Sequence, residues 1–285
     1  MSEAPKPSIS RRSFLRVAIR TLAGSSLAAL GVTAYATKVE TRWLKLERLR
    51  IPIPALPTAF EGYRVVQLTD LHLSSEESRR MINHAVREAL DRSPDLLVLT
   101  GDYVTGRLDA PTLRAELSQL SAPDGVWATL GNHDHWVDPG GVRQVLADAG
   151  IGELRNSSTP ISREGQTLWL VGVDDIWEKQ HDLPLALSNV PDDGTAILLA
   201  HEPDYADAVF PTGRIALQLS GHSHGGQVRL PLYGAPILPY LGEKYPYGLR
   251  TLGDMWLYTS QGVGYLLPIR LNCRPEVVEI TLTRG

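Results

Sequence analysis

Six times along this chain a short apolar run stops at a polar cluster. Residues 64–69 lead to Asp70, 96–100 to Gly101-Asp102, 126–130 to Gly131-Asn132, 168–173 to Asp174-Asp175, 196–200 to His201 and 215–219 to Gly221-His222. Runs this short, rich in Val, Ile and Leu and closed by turn residues, read as buried strands. Strand ends are where a layered α/β sheet assembles a site, because the following loops converge there. Repeated delivery of acids and histidines to such ends therefore constrains both the fold and the place of its chemistry.

Helical periodicity separates the first runs. Over 76–91 it sets Met81, Ile82, Ala85, Val86, Ala89 and Leu90 on one face, and 112–120 and 141–149 are shorter helix candidates. Residues 43–53 alternate and then meet Pro52, Pro54 and Pro57, which suits an edge strand. Later strands follow with fewer helices, and 255–259 and 276–282 add two more. We therefore expect an α/β fold, a four-layer αββα sandwich of two facing mixed β-sheets flanked by helices, and not one doubly wound sheet. No repeat period and no long linker divides the body. With 43% hydrophobic residues a full core is available, and the single cysteine, Cys273, excludes an internal disulfide framework and a cysteine-based zinc knuckle. Cys273 itself reads as a partly buried structural thiol. Any metal must be held by imidazole, carboxylate or amide groups.

Those groups fall into five blocks: Asp70-Leu71-His72, Gly101-Asp102, Gly131-Asn132-His133-Asp134, His201, and Gly221-His222-Ser223-His224. Five of the eight histidines lie in them. Singly, each block has an ordinary structural use, since Asp70 or Asp102 could cap a helix and His201 could sit in a core. Together and in order they resemble the calcineurin-like metallophosphoesterases, whose blocks run D-x-H, GD, GNH[DE], H and GHxH. The resemblance covers about 64–228.

What the resemblance implies is specific. Two divalent ions, drawn from Mn, Fe, Zn or Co, are expected, with Asp102 bridging them. Asp70, His72 and His224 would complete one metal, and Asn132, His201 and His222 the other. A metal-bridged hydroxide would attack phosphorus. His133 would act near the leaving oxygen as the catalytic histidine, and Asp134 would orient its ring. Gly101, Gly131 and Gly221 would permit close backbone approach, and a tight turn would send His222 and His224 to different metals although they are two apart. Thr105 stands where the purple acid phosphatases carry a tyrosine, so that variant is not supported. Asp174-Asp175 belongs to no block and reads as loop or supporting structure, and His135 as a solvated loop histidine.

The beginning of the chain is of another kind. Residues 1–36 carry five basic residues against one acid, a net +4 that leaves −8 for the rest of a chain whose total is −4. A body of that sign is a poor partner for a nucleic-acid polymer. The basic start, the uncharged run 21–36 and Ala34-Tyr35-Ala36 have the parts of a secretory signal. Ser10-Arg11-Arg12-Ser13-Phe14-Leu15 resembles a twin-arginine signal, which implies the Tat export machinery as a partner and a location in the periplasm or at the outer face of the cytoplasmic membrane. We divide the chain into a signal peptide or N-terminal anchor, 1–36, and a metallophosphoesterase domain, 37–285.

Residues 231–247, rich in Pro, Tyr and Leu, are read either as ordinary loop packing or as an acyl-chain or membrane-facing wall beside the metals. The expected activity is hydrolysis of a small phosphodiester or phospholipid-type substrate in the bacterial envelope. The alternatives are a membrane-associated UDP-2,3-diacylglucosamine pyrophosphate hydrolase and a non-catalytic metal-stabilised binding module.

Overall fold

A computed structural model describes residues 11–285. Residues 1–10, including Ser10 of the twin-arginine stretch, lie outside the described residues. Two six-stranded sheets face each other. The first runs β1 (Lys45–Ile53), β12 (Glu276–Arg284), β2 (Arg64–Leu68), β3 (Leu96–Thr100), β4 (Val126–Thr129), β5 (Gly152–Glu153), parallel except where β12 meets β2. The second runs β10 (Gly248–Leu252), β11 (Met255–Thr259), β9 (Leu217–Ser220), β8 (Ala196–Leu199), β7 (Gln166–Gly172), β6 (Ser157–Arg163), antiparallel only at its two outer pairs.

Each layer follows from which faces are apolar. Ile51, Val65, Leu96 and Val98 meet Leu170, Leu199, Leu217 and Leu219 between the sheets. The apolar face of α2 (Glu76–Asp91), with α3 (Ala110–Leu117) and α5 (Pro139–Asp148), covers the outside of the first sheet. Leu183, Ala186, Ala206 and Val209, from short helices, cover the second. The expected four-layer αββα sandwich is the observed architecture. Buried Gln67 ties the two sheets beneath the site, donating through Nε2 to Thr100 Oγ1 at 2.9 Å and to the Ser220 carbonyl at 3.0 Å.

Ahead of this body stands α1 (Arg11–Ala34), an exposed helix, followed without a break by a π-helical turn, Tyr35–Val39, and a 3-10 turn, Glu40–Arg42. The body grips these turns. The Arg270 backbone N–H donates to the Ala36 carbonyl at 2.9 Å, and the Cys273 N–H to Glu40 Oε1 at 2.6 Å, with Ala36 and Glu40 both buried. The boundary expected after Ala36 thus falls inside a docked helical segment.

Candidate metal centre

The parallel strands β2, β3, β4, β8 and β9 end on one side of the sandwich, and the polar blocks occupy the first residues beyond them. Asp70, His72, Asp102, His222 and His224 all have positive φ, between 48° and 68°. Non-glycine residues held there cost on the order of 1–3 kcal/mol each and persist only where the surroundings fix them. Here they are fixed. The Asp70 carboxylate accepts the His222 N–H at 3.0 and 3.1 Å, and Asp102 Oδ1 accepts the His133 N–H at 2.9 Å. At Gly221 a Cβ would run into Asp70 Oδ2 and Thr69 Oγ1, so only glycine lets this loop close on the site. The left-handed turns at His222 and His224 swing their side chains toward different groups.

The first group joins Asp70, His72 and His224. Asp70 Oδ1 lies 3.3 Å from His224 Nε2 and 3.9 Å from His72 Nε2, and the two ring nitrogens are 2.8 Å apart. The second joins Asp102, His201 and His222, with Asn132 Oδ1 3.0 Å from His222 Nδ1. Asp102 Oδ2 stands between them, 3.2 Å from His201 Nε2 and 3.6 Å from His72 Nε2. The structure therefore brings together all seven residues expected as ligands.

The donor chemistry shows what this arrangement lacks. His201 Nδ1 donates to the Thr100 carbonyl at 2.6 Å, which leaves Nε2, buried and without a hydrogen-bond partner among the described residues, facing a carboxylate. His222 Nε2 likewise donates to the Tyr240 carbonyl at 2.8 Å and turns Nδ1 to the Asn132 oxygen. Buried acceptors facing acceptors require positive charge, and cations fit. Burial, with the Asp102 charge, pushes Asp70 up to about 7 against the pull of His201. Burial opposes charge on His201, yet Asp102, Asp70 and Glu202 raise it well above the ordinary imidazole. Burial also works to raise Asp102, but His201, His72 and His133 hold it below the usual carboxylate range. His72 and His222 are pushed down to about 3 by burial, which keeps them in the neutral, ligating form. Imidazole, carboxylate and amide donors without thiolate suit Mn, Fe, Zn or Co.

His133 and Asp134 part company. The His133 ring packs edge-on against His72, 4.9 Å between centroids, and borders a cavity of about 490 Å³ over the centre. Asp134 does not orient that ring. Its carboxyl accepts backbone N–H groups of Asp102 and Tyr103 at 2.8 Å, of Gly131 at 3.0 Å and of Val104 at 3.4 Å. Both residues lie on α4 (Asn132–Val137), where consecutive side chains diverge by about 100°, so Asp134 staples two loops while His133 faces the cavity.

The supporting residues were less visible beforehand. His135 is not a solvated loop histidine, because its Nε2 lies 2.8 Å from Asp174 Oδ1. Arg143 and Arg155 complete that clasp on Asp174 at 3.1 and 2.8 Å. Glu202, raised well above its ordinary value by burial, accepts the N–H groups of Ile176 and Trp177. Trp136 and Trp177, with Leu266, Leu267 and Ile269, add an apolar side to the cavity, whereas composition points only to 231–247 as such a wall. A cavity of about 540 Å³ elsewhere, lined by Arg42, Glu77, Arg80 and His84, holds none of the site residues.

Residues 63–226 match the family described as Calcineurin-like phosphoesterase. The chain is 36% identical to phosphodiesterase YaeI of Escherichia coli, over 96% of this chain and 99% of that one. It is 33% identical to the uncharacterized metallophosphoesterase YkuE of Bacillus subtilis, over 96% and 98%. It is 29% identical to UDP-2,3-diacylglucosamine pyrophosphatase LpxG of Chlamydia muridarum, over 85% and 90%.

Proposed function

The chain belongs to the calcineurin-like phosphoesterase family and is a metallophosphoesterase, and from that premise we propose that it hydrolyses phosphodiesters with two divalent ions. The observation that carries this reading is the place of Asp102, whose Oδ2 is within 3.6 Å of a histidine nitrogen from each group. Asp70, His72 and His224 would hold one ion, Asn132, His201 and His222 the other, and Asp102 both. Bound there, the ions supply Lewis-acid polarisation of the phosphoryl oxygens and an acidified water. The chain does the rest. Asn132 and His222 fix one edge of the floor, and His133 offers a ring nitrogen to the leaving oxygen. Burial lowers the His133 imidazole, so at neutral pH the ring is neutral and its N–H serves as a hydrogen-bond donor to that oxygen. We read the N-terminal helix as a retained anchor holding the body at the outer face of a membrane after twin-arginine export. The grip on Ala36 and Glu40 supports this.

The test is metal content of the purified full chain, coupled to hydrolysis of bis(4-nitrophenyl) phosphate and 4-nitrophenyl phosphate with Mn, Zn or Fe. About two ions per chain, diester turnover and its loss to a chelator are expected. One ion per chain, or turnover of the monoester alone, overturns the reading. The intact mass of the same preparation checks the anchor, which a chain beginning at Thr37 would rule out. Pyrophosphate cleavage of UDP-2,3-diacylglucosamine, the substrate in the name of the Chlamydia relative, is the competing reading, and the apolar side of the cavity favours it. Assaying that compound beside the two esters separates them.

A further inference from the structure

The cavity over the centre has two unlike faces. Asp102, Asn132, His133, His222 and His224 form its floor, whereas Trp177, Ile237, Leu238, Leu267 and Ile269 form a wall of hydrocarbon. Its volume, about 490 Å³, is within the range of sites that enclose an organic ligand. A small ionic diester has nothing to place against such a wall.

The wall continues past the mouth onto the surface. Leu232, Tyr233, Ile237, Tyr240 and Leu267 are each more than 60% exposed. This exposure is built into the fold. The Gln227 side chain donates to the Leu267 and Ile269 carbonyls, both at 2.8 Å, and accepts the Leu266 N–H at 2.9 Å, holding that loop with its leucines outward. Three residues beyond Leu267, the Arg270 N–H donates to the carbonyl of Ala36. The wall is thus tied to the place where the apolar helix α1 leaves the body.

That helix, with the turns that continue it, is long and apolar enough to cross a membrane, and the body buries none of its most apolar 18 residues. From Arg20 to Lys38 the continuous helical segment, α1 with the turn that follows it, measures about 27 Å at 1.5 Å per residue, close to the roughly 30 Å of a bilayer core, and its body end is docked at Ala36. Basic residues at both ends suit headgroup regions. An exposed membrane-length helix and an exposed apolar mouth, joined by one hydrogen bond, have a single surface that covers both.

We propose that the substrate is a phosphodiester carried by a bilayer lipid, with its hydrocarbon against the Ile237 and Leu267 wall and its phosphorus over Asp102 and His133. The mouth rests on the membrane that α1 crosses. This inference rests on the phosphodiesterase reading above. Hydrolysis forms a bond from the oxygen of water to phosphorus and breaks the P–O bond to one alcohol, whose oxygen takes the proton, leaving a monoester.

The test places the metal-loaded full chain in phosphatidylcholine vesicles and compares methyl 4-nitrophenyl phosphate, which stays in water, with hexadecyl 4-nitrophenyl phosphate, which is held in the bilayer. Both release the same 4-nitrophenol. Each methylene buried is worth about a factor of 4, so three or four of them give the long ester an advantage on the order of 100-fold. In Leu267→Asp that advantage falls by about 10-fold or more. The readout is the ratio of two substrates within one preparation, so differences in folding or metal loading cancel. Methyl ester turnover without an advantage for the hexadecyl ester overturns the lipid proposal and leaves the phosphodiesterase reading standing. An advantage that survives Leu267→Asp assigns it to partitioning into the vesicle and also overturns the proposal. Turnover of neither ester removes the phosphodiesterase reading and this one with it.

Discussion

The floor of the cavity is built from the first residues after buried parallel strands, while its wall comes from Trp177 and from segments 228–247 and 264–272, all of which lie outside both sheets. At and beneath the floor, polar groups hold one another in place: Asp70 accepts the His222 amide, Asp102 accepts the His133 amide, and His201 donates to the Thr100 carbonyl. On the wall a few polar clamps, Gln227 chief among them, hold apolar side chains away from the core. The difference separates two kinds of constraint. Geometry at the floor is over-determined and carries strained φ angles, whereas the wall is specified by composition and exposure. Substitutions on the floor should therefore act through metal and turnover, and those on the wall through local order and substrate choice.

The largest effect is expected at Asp102, whose carboxylate oxygen lies within 3.6 Å of a histidine nitrogen from each group. Asp102→Asn removes the negative charge that both ions would share, and turnover should fall by about 10³-fold or more. Metal analysis sharpens the point. Asp102→Asn should lose both ions, while Asp70→Asn should lose one. Equal loss from the two variants would mean that Asp102 has no bridging place.

Next in size is a contrast between neighbours on α4. His133→Ala should lower kcat by about 10²–10⁴ while the ions and the melting temperature are retained. Asp134→Ala should act in the opposite way. It strips three or four buried amides of their acceptor, at about 3 kcal/mol or more, which is a fall of roughly 6–12 °C in melting temperature for a body this size. Thermal melts beside steady-state rates decide it, and a His133→Ala variant that melts early with normal kcat would reverse the assignment.

That pair also shows how far the residues could be read in advance. Adjacency in Asn132-His133-Asp134 invited a ring-orienting role for Asp134, because a linear motif hides the rotation per residue of the helix that starts inside it. The same motif begins with Gly131-Asn132, a turn signal, so α4 itself was not foreseen. Where periodicity is strong the reading is close. Helix α2 occupies 76–91 as expected, since Met81, Ile82, Ala85, Val86 and Ala89 are all buried and Ser75 caps its start. Strand β3 is likewise legible, five residues long and buried throughout. Strand β6 was missed because Ser157, Ser158, Thr159 and Pro160 lack an apolar alternation, and as an edge strand it needs none. The floor was legible because metal chemistry admits few residue types. The Leu266–Ile269 part of the wall was not, since a loop that exposes leucines has no periodicity and takes its meaning from Gln227, some forty residues earlier in sequence.

The smallest predicted effect tests that last point. In Gln227→Ala the Leu266 N–H loses its acceptor and the Leu267 and Ile269 carbonyls lose a shared donor. Solvent can reach these groups, so the loss should be about 1 kcal/mol. Global unfolding would barely register it. Hydrogen exchange should, because local opening is governed by local bonds: the Leu266 amide should exchange on the order of 10-fold faster. Amides of Asp102 and Tyr103, held by Asp134, should keep their rates. If both sets accelerate together, floor and wall open as one unit and the contrast between them is lost. If Leu266 alone accelerates, the wall is an independently held element, able to yield to a hydrocarbon chain while the ligand geometry beneath it stays fixed.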